Sequence, residues 1–432
     1  MIALLLVTLV PAADPPETTR FRDSLFLWTA GEGDRPATCE ALLIAPLAEM
    51  RSMSGPVWSP DESSIAITIQ SPRGKSISSN FDQMFVLDVD DGSLRPLGPG
   101  KVGSWPEPNR LLFGTTFPEG HRVKAAADRF APTVPYARSI DPTIDLSSRI
   151  DEFLPMSNLW QSEATDPRST ISEEQLGDLS YGHEPRLFDR GTKLLSVLQL
   201  TQTRENVSTT VGPGCVTDAV SGEIVLLQTD EGDGAFPQSI SFDDARLLDD
   251  RHLIARTRRG WAAPAEGEEE ELRILRLPDW ETAPRSKEYD WPHVTLESIA
   301  SIPLSYLRGP IRHQENDESF TAVHRFDYCA ATRELSVVIA TYWPDNAANK
   351  LPYSYTVVQV TLDPSLTSWS EPKVLLRGWP DVRIVGIAVS QDGRRMAFTT
   401  NAFKVLGPEG ELREPSDLIE PEPAESGPDP AG

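Results

Sequence analysis

Short runs in which apolar residues occupy every second position recur along this chain, and turn residues separate them. The clearest is Val57-Trp58-Ser59-Pro60-Asp61-Glu62-Ser63-Ser64-Ile65-Ala66-Ile67-Thr68-Ile69. Val57 and Trp58 favour extended backbone, Pro60 presets φ for a turn, and Ile65, Ile67 and Ile69 alternate with smaller or polar residues at the strand period of two. The stretch predicts a β-hairpin. The same layout returns at Ile387-Ala388-Val389-Ser390-Gln391-Asp392-Gly393-Arg394-Arg395-Met396-Ala397-Phe398, with Asp-Gly at the turn where the first copy has Asp-Glu. A looser third copy runs from Pro185 to Leu198.

Hairpins follow one another in a fixed order. The first is succeeded by Met84 to Leu97, which turns at Asp91-Gly92, so residues 55 to 97 make a four-stranded unit. The copy after Pro185 is likewise followed by an apolar run from Cys215 to Leu227. Less regular units are indicated by Arg110 to Phe113, by Ser239 to Phe242 with His252 to Arg256 and Leu272 to Leu275, and by Leu335 to Ala340 with Tyr355 to Leu362. About six units of four strands indicate an all-β fold, a β-propeller rather than a sandwich. The last unit is incomplete after Asn401. Strands near Leu25 to Trp28 and Ala41 to Ala45 are expected to join it, closing the ring and covering its sheet edges. One propeller domain over residues 21–410 results, interrupted by an insertion at about 121–180 that decorates one face, and followed by an acidic, proline-rich tail at 411–432 that composition marks as disordered.

Val57-Trp58-Ser59-Pro60-Asp61 and Ser390-Gln391-Asp392-Gly393-Arg394-Arg395-Met396-Ala397-Phe398 resemble the WD40-like repeats of the TolB family of propellers, whose units read Trp-Ser-Pro-Asp-Gly before a strand. The match covers two units well and a third loosely. Such repeats occur in periplasmic scaffold proteins and in gating propellers fused to serine peptidases, so the resemblance implies one of these two settings.

Charge and composition narrow the function. With 65 acidic and 40 basic residues the net charge is -25, which repels phosphate backbones and argues against nucleic acid as a partner. Ile2 to Val10 is an apolar run, and Val10-x-Ala12 meets the small-residue rule for cleavage, so Met1 to Ala13 is expected to be a signal peptide and the protein periplasmic or secreted. No Lys or Arg precedes the run. The alternative is a buried first strand in a cytoplasmic protein. Either way the run is too short for a stable membrane span.

Candidate chemistry is sparse. Cys39, Cys215 and Cys329 stand singly, without zinc spacing; at most one disulfide can form, and three buried thiols are the simpler expectation. The six histidines stand alone, and no G-x-S-x-G elbow of a fused peptidase occurs. Asp88-Val89-Asp90-Asp91-Gly92 looks like a calcium loop but lacks the closing Glu and sits where a hairpin turn is wanted. Trp58 is expected to pack between units, which leaves tryptophans in irregular segments, Trp160 and Trp291, as surface candidates.

These observations indicate a non-catalytic scaffold that binds a protein or peptide, with no catalytic residue, metal ligand or cofactor assigned. The alternative is a propeller hydrolase of the lactonase type with a metal in the central channel. Phe153 and Trp160 in the insertion are the candidate protein-binding residues. Two roles stay open for them: contact with a partner, or pinning the insertion to the propeller.

The tail is expected to be dispensable, because its Pro/Glu/Ser-rich composition cannot offset its ordering entropy. Limited proteolysis should trim residues 411–432 rapidly and leave the melting temperature unchanged. A protected tail, or a lower melting temperature after trimming, would show that it docks.

Overall fold

The computed structural model describes residues 24–32, 36–44, 52–71, 81–99, 101–115, 136–140, 154–155, 180–181, 186–188, 193–204, 207–211, 214–218, 224–229, 241–258, 270–280, 282–283, 286–288, 291–310, 320–342, 354–377 and 382–402. The expected signal peptide at 1–13, the tail at 411–432 and most of the insertion lie outside these residues.

Most of the described residues are in strands. β1 (Ser24–Thr29) and β2 (Thr38–Ile44) open the chain. β3 (Ser52–Trp58), β4 (Ser64–Ser71), β5 (Phe81–Asp88) and β6 (Leu94–Pro99) then pair in sequence order as a four-stranded antiparallel sheet. β7 (Lys101–Glu107), β8 (Arg110–Thr115), β9 (Tyr136–Ile140) and β10 (Leu154–Pro155) make the next.

An 11-stranded sheet follows. It takes in β11 (Ser180–Tyr181), β12 (Arg186–Phe188), β13 (Lys193–Arg204), β14 (Val207–Val211), β15 (Gly214–Asp218) and β16 (Ile224–Thr229). Its second half is β17 (Ser241–Asp249), β18 (His252–Arg258), β19 (Glu271–Arg276), β20 (Ser286–Glu288) and β21 (Trp291–Pro303). The halves meet where β16 pairs with β21 in parallel, Leu226 opposite His293 through Thr229 opposite Leu296.

A single-turn helix α1 (Leu304–Leu307) leads to β22 (Phe320–Cys329), β23 (Glu334–Tyr342), β24 (Ser354–Thr361) and β25 (Lys373–Arg377), again a four-stranded sheet. β26 (Val382–Val389) and β27 (Arg395–Ala402) end the described chain. Among the described residues no helix is long and apolar enough to cross a membrane.

The two ends of the chain share a sheet. β1 lies antiparallel on β27, from Ser24 opposite Thr400 to Thr29 opposite Arg395, giving the order β2-β1-β27-β26. The N-terminal strands therefore complete the last hairpin, as the half-unit at each end of the sequence implied. First strands of successive groups touch in the order β3, β7, β12 and again β17, β22, β26, and β26 touches β3; between β12 and β17 the contact runs through β13, the partner of β12. The fold is a β-propeller.

Apolar residues fill the seams between neighbouring sheets. On β4, Ile65, Ile67 and Ile69 join a cluster with Leu25, Leu27 and Ala397 of the last group, while Ala66 joins Val102, Leu111 and Phe113 of the next group. β23 divides likewise: Leu335, Val337 and Ile339 face Ile254, Leu272 and Ile302 on one side, and Val338 and Ala340 face Ile384 and Phe398 on the other. Because successive side chains on a strand point to opposite faces, each strand feeds two cores, which is why Leu335 to Ala340 reads as an unbroken apolar run.

The two best sequence copies have the same turn. Ser59 Oγ donates to Asp61 Oδ1 (2.6 Å) and accepts from the Ser64 N–H (3.0 Å); Ser390 Oγ donates to Asp392 Oδ1 (2.6 Å) and accepts from the Arg395 N–H (2.9 Å). The Ser59 hydroxyl and Ser63 N–H hold the Asp61 carboxyl below its usual range. Burial pushes Asp392 up, but the Ser390 hydroxyl and the Arg394 N–H outweigh it and hold Asp392 low as well. The position after each aspartate is left-handed, φ 59° at Glu62 and 73° at Gly393. Glycine adopts this freely, whereas another residue there costs about 1–3 kcal/mol. Asp88 caps its own hairpin, accepting from the Asp90 (2.9 Å) and Asp91 (3.1 Å) N–H groups, so the acidic stretch is turn chemistry.

Deleting residues 20–46 removes β1 and β2 and strips β27 of its neighbour. Cooperative thermal unfolding is expected to be lost, and a deletion variant that melts like the full chain would refute this role for the N-terminal strands.

Candidate functional site

The first strands of the groups carry ladder irregularities. Register shifts occur between Ser54 and Val57 on β3, Val102 and Ser104 on β7, Phe242 and Asp244 on β17, Val323 and Arg325 on β22, and Ile384 and Gly386 on β26. A bulge leaves backbone groups without a ladder partner, and buried ones must find another. Charged side chains supply it here. The Glu270 carboxylate accepts from the Val323 N–H (2.8 Å), and the Arg256 guanidinium donates to the Val323 carbonyl. Arg325 donates to the carbonyls of Val385 on β26 (3.2 Å) and of His324 (3.0 Å). Arg256 and Glu270 also face each other at 3.9 Å.

Asp327 on β22 binds three groups together. Its Oδ1 accepts from Arg246 Nε of β17 at 2.9 Å, and its Oδ2 accepts from the Val389 N–H of β26 at 2.8 Å. Only 8% of the Arg246 side chain and 10% of the Asp327 side chain is exposed, so the pair is nearly desolvated. The Arg246 guanidinium also lies 5.7 Å from the Phe326 ring centroid. Both carboxylate oxygens are thus engaged by donors from neighbouring groups.

Other chemistry is dispersed. His324 sits in the β22 bulge with its ring 5.2 Å from that of Tyr355, edge on, and His252 Nδ1 lies 2.8 Å from Asp249 at an exposed turn. Among the described residues, no three His, Cys, Asp or Glu side chains are grouped to hold a metal ion. A cavity of about 300 Å³ lined by Pro278, Asp279, Thr282, Ala283, Val294 and Thr295 offers one charged group.

The residues singled out in the sequence fare differently. Phe153 and Trp160 lie outside the described residues. Trp58 is buried between the first and last groups and donates from Nε1 to the Ala388 carbonyl (3.0 Å), as expected. Trp291 is not in an irregular segment: it opens β21 and pairs with Glu288, because the hairpin with β20 extends the strand. The three cysteines are buried thiols. Burial, and then the charge of Glu40, pushes Cys39 up to about 12, and Cys329 Sγ donates to the Gln391 carbonyl (3.0 Å). Arg246, Arg325 and Asp327 were missed. Their signal was present: Arg325 and Asp327 are charges two apart inside an apolar strand, a pattern that needs a buried partner.

Neither a protein-family model nor a curated protein matches the sequence. Solved structures do match. One is assigned as TolB from Agrobacterium tumefaciens, 12% identical, covering 89% of this chain and 99% of that one at a TM-score of 0.42. A second is the β-propeller domain of the Trilobed protease from Pyrococcus furiosus, 9% identical over 79% of this chain and 89% of that one at a TM-score of 0.33. A third, puromycin hydrolase, is 12% identical over 79% of this chain and 42% of its own at a TM-score of 0.37. With each of these TM-scores below 0.5, the description of the fold rests on the strand pairing above.

Replacing Asp327 with Asn leaves the Arg246 guanidinium nearly buried without its counter-charge, and removing one partner of such a pair typically costs about 3–5 kcal/mol. Denaturant unfolding of Asp327→Asn should show a loss of that order, and Arg246→Met in the same background should recover part of it. A loss under about 1 kcal/mol would mean the pair is solvated.

Proposed function

We propose that the protein is a non-catalytic propeller scaffold that binds a protein or peptide partner on one end of its sheets. The observation that carries this reading is the engagement of Asp327 by Arg246 and the Val389 N–H, which commits an inner-strand carboxylate to holding sheets together. A lactonase-type hydrolase would instead need carboxylates turned toward a divalent ion.

The distribution of chain length supports the choice of end. In an antiparallel meander, first-to-second connections lie at one end of the sheet and second-to-third connections at the other. The former are short, as at Pro108-Asn109 and Asp250-Arg251. The latter span residues 72–80, 116–135, 259–269 and 343–353, so the first part of the insertion leaves from that end, whereas residues 141–153, which join β9 to β10 and end at Phe153, connect third to fourth strand at the other. Long connections on a rigid support are where recognition usually resides. Phe153 and Trp160 are the proposed contact residues within the insertion, in keeping with the aromatic anchors of protein interfaces. A periplasmic or secreted location rests on the apolar run within Met1 to Ala13, and a nucleic-acid partner is disfavoured by the net charge of -25.

Affinity capture from the cell envelope with tagged wild type and a Phe153→Ala/Trp160→Ala double variant tests the reading. Specific proteins retained by the wild type should be lost by the variant with no change in melting temperature. A fall of several degrees would assign the two side chains to internal packing, and stoichiometric divalent metal in the purified protein would reverse the choice between scaffold and enzyme.

A further inference from the structure

The turn between β3 and β4 differs from its copy between β26 and β27 in one respect that local conformation does not favour. Both turns place a left-handed residue after the aspartate; the later copy uses Gly393, while the earlier one uses Glu62 at φ 59°. Glycine would be more comfortable there. Glu62 instead makes two side-chain contacts that glycine cannot, beside a backbone one that glycine could keep. Its Oε2 accepts from Arg395 at 2.8 Å, its Oε1 accepts from the Asp392 N–H at 3.0 Å, and its carbonyl accepts a further bond from Arg395 at 3.1 Å. The Arg395 guanidinium also lies 4.8 Å from the Trp58 ring centroid.

These contacts join opposite ends of the chain. In the sheet β2-β1-β27-β26, no turn connects β1 to β27, so the ladder and side-chain packing such as Phe26 on Phe398 (ring centroids 5.3 Å) join them. Arg395 pairs with Thr29 at the end of that ladder while its side chain reaches across to Glu62 in the next sheet. Three more ties span the same division: the Ala30 N–H to the Arg394 carbonyl (2.8 Å), Arg394 to Glu32 (3.2 Å), and Trp58 Nε1 to the Ala388 carbonyl (3.0 Å).

We propose that Glu62 and Arg395 form a latch that locks the N-terminal strands onto the last hairpin, so that their ion pair governs opening of the β1–β27 ladder. Strain at Glu62 persists because the ion pair over-determines it. About 26% of the Arg395 side chain and 13% of the Glu62 side chain is exposed, so salt reaches the pair and weakens it.

Hydrogen exchange on the full chain reads the latch directly. In Glu62→Gly, which restores the residue its sister turn carries, amides of β1 should exchange at least tenfold faster than in the wild type at low salt, while those of β22 to β24 keep their rates. Tenfold corresponds to about 1.4 kcal/mol of opening free energy. Wild-type β1 should move toward the variant's rate at 1 M NaCl, and the variant should respond little. Arg395→Lys, which keeps the charge but loses the guanidinium plane over Trp58, should fall between the two, and it decides the matter if Glu62→Gly does not fold. Unchanged or slower β1 exchange in Glu62→Gly would overturn the proposal, since relief of the turn would then outweigh the ion pair. Acceleration equal in β1 and in β22 to β24 would overturn it too, by showing a global effect.

Discussion

The sheets that contain β4 and β23 have two apolar faces, and neither face can be left in water. A strand that alternates Ile65, Ile67 and Ile69 with Ala66 and Thr68 sends large side chains into one seam and small ones into the next, so no sheet owns a core by itself. Burial at about 25 cal/mol per Å² of apolar surface is therefore won only when a neighbour is present on both sides. Both faces are satisfied by a succession of sheets whose last member meets the first, and the contact of β26 with β3 is that meeting. The pairing of β1 with β27 follows from the same need, because a final hairpin alone would present an unpaired edge.

Charge enters where the backbone ladder fails. Bulges on the first strands bend them but strand amides and carbonyls, and Glu270, Arg256 and Arg325 satisfy these at a desolvation cost that apolar residues would not incur. Asp327 goes further, since its two oxygens fix the spacing of three successive groups at once. Such ties define position more than they add stability, which suits a molecule whose groups would otherwise slide on apolar seams.

Much of the fold was legible in the alternation of residues. The hairpin at Val57 to Ile69, its copy at Ile387 to Asn401 and the second hairpin at Met84 to Leu97 all form where the pattern and turn residues place them. So does the union of the terminal strands. What escaped the sequence depends on distant partners. Arg246 and Asp327 are 81 residues apart, a bulge is defined only against the opposing strand, and the parallel pairing of β16 with β21 has no turn to announce it. Trp291, expected in an irregular segment, lies in β21 opposite β20, a pairing defined only by its partner strand.

β21 serves two groups with one strand. Its first part, His293 to Leu296, lies along β16, and its second, Glu297 to Pro303, lies along β19. The halves of the 11-stranded sheet are thereby spliced into a single mechanical body, whereas other neighbouring sheets meet through side chains. Duplication or loss of one repeat in this half would cut a strand on which the adjoining repeat depends, so the pair is constrained to be inherited, permuted or transplanted as one module.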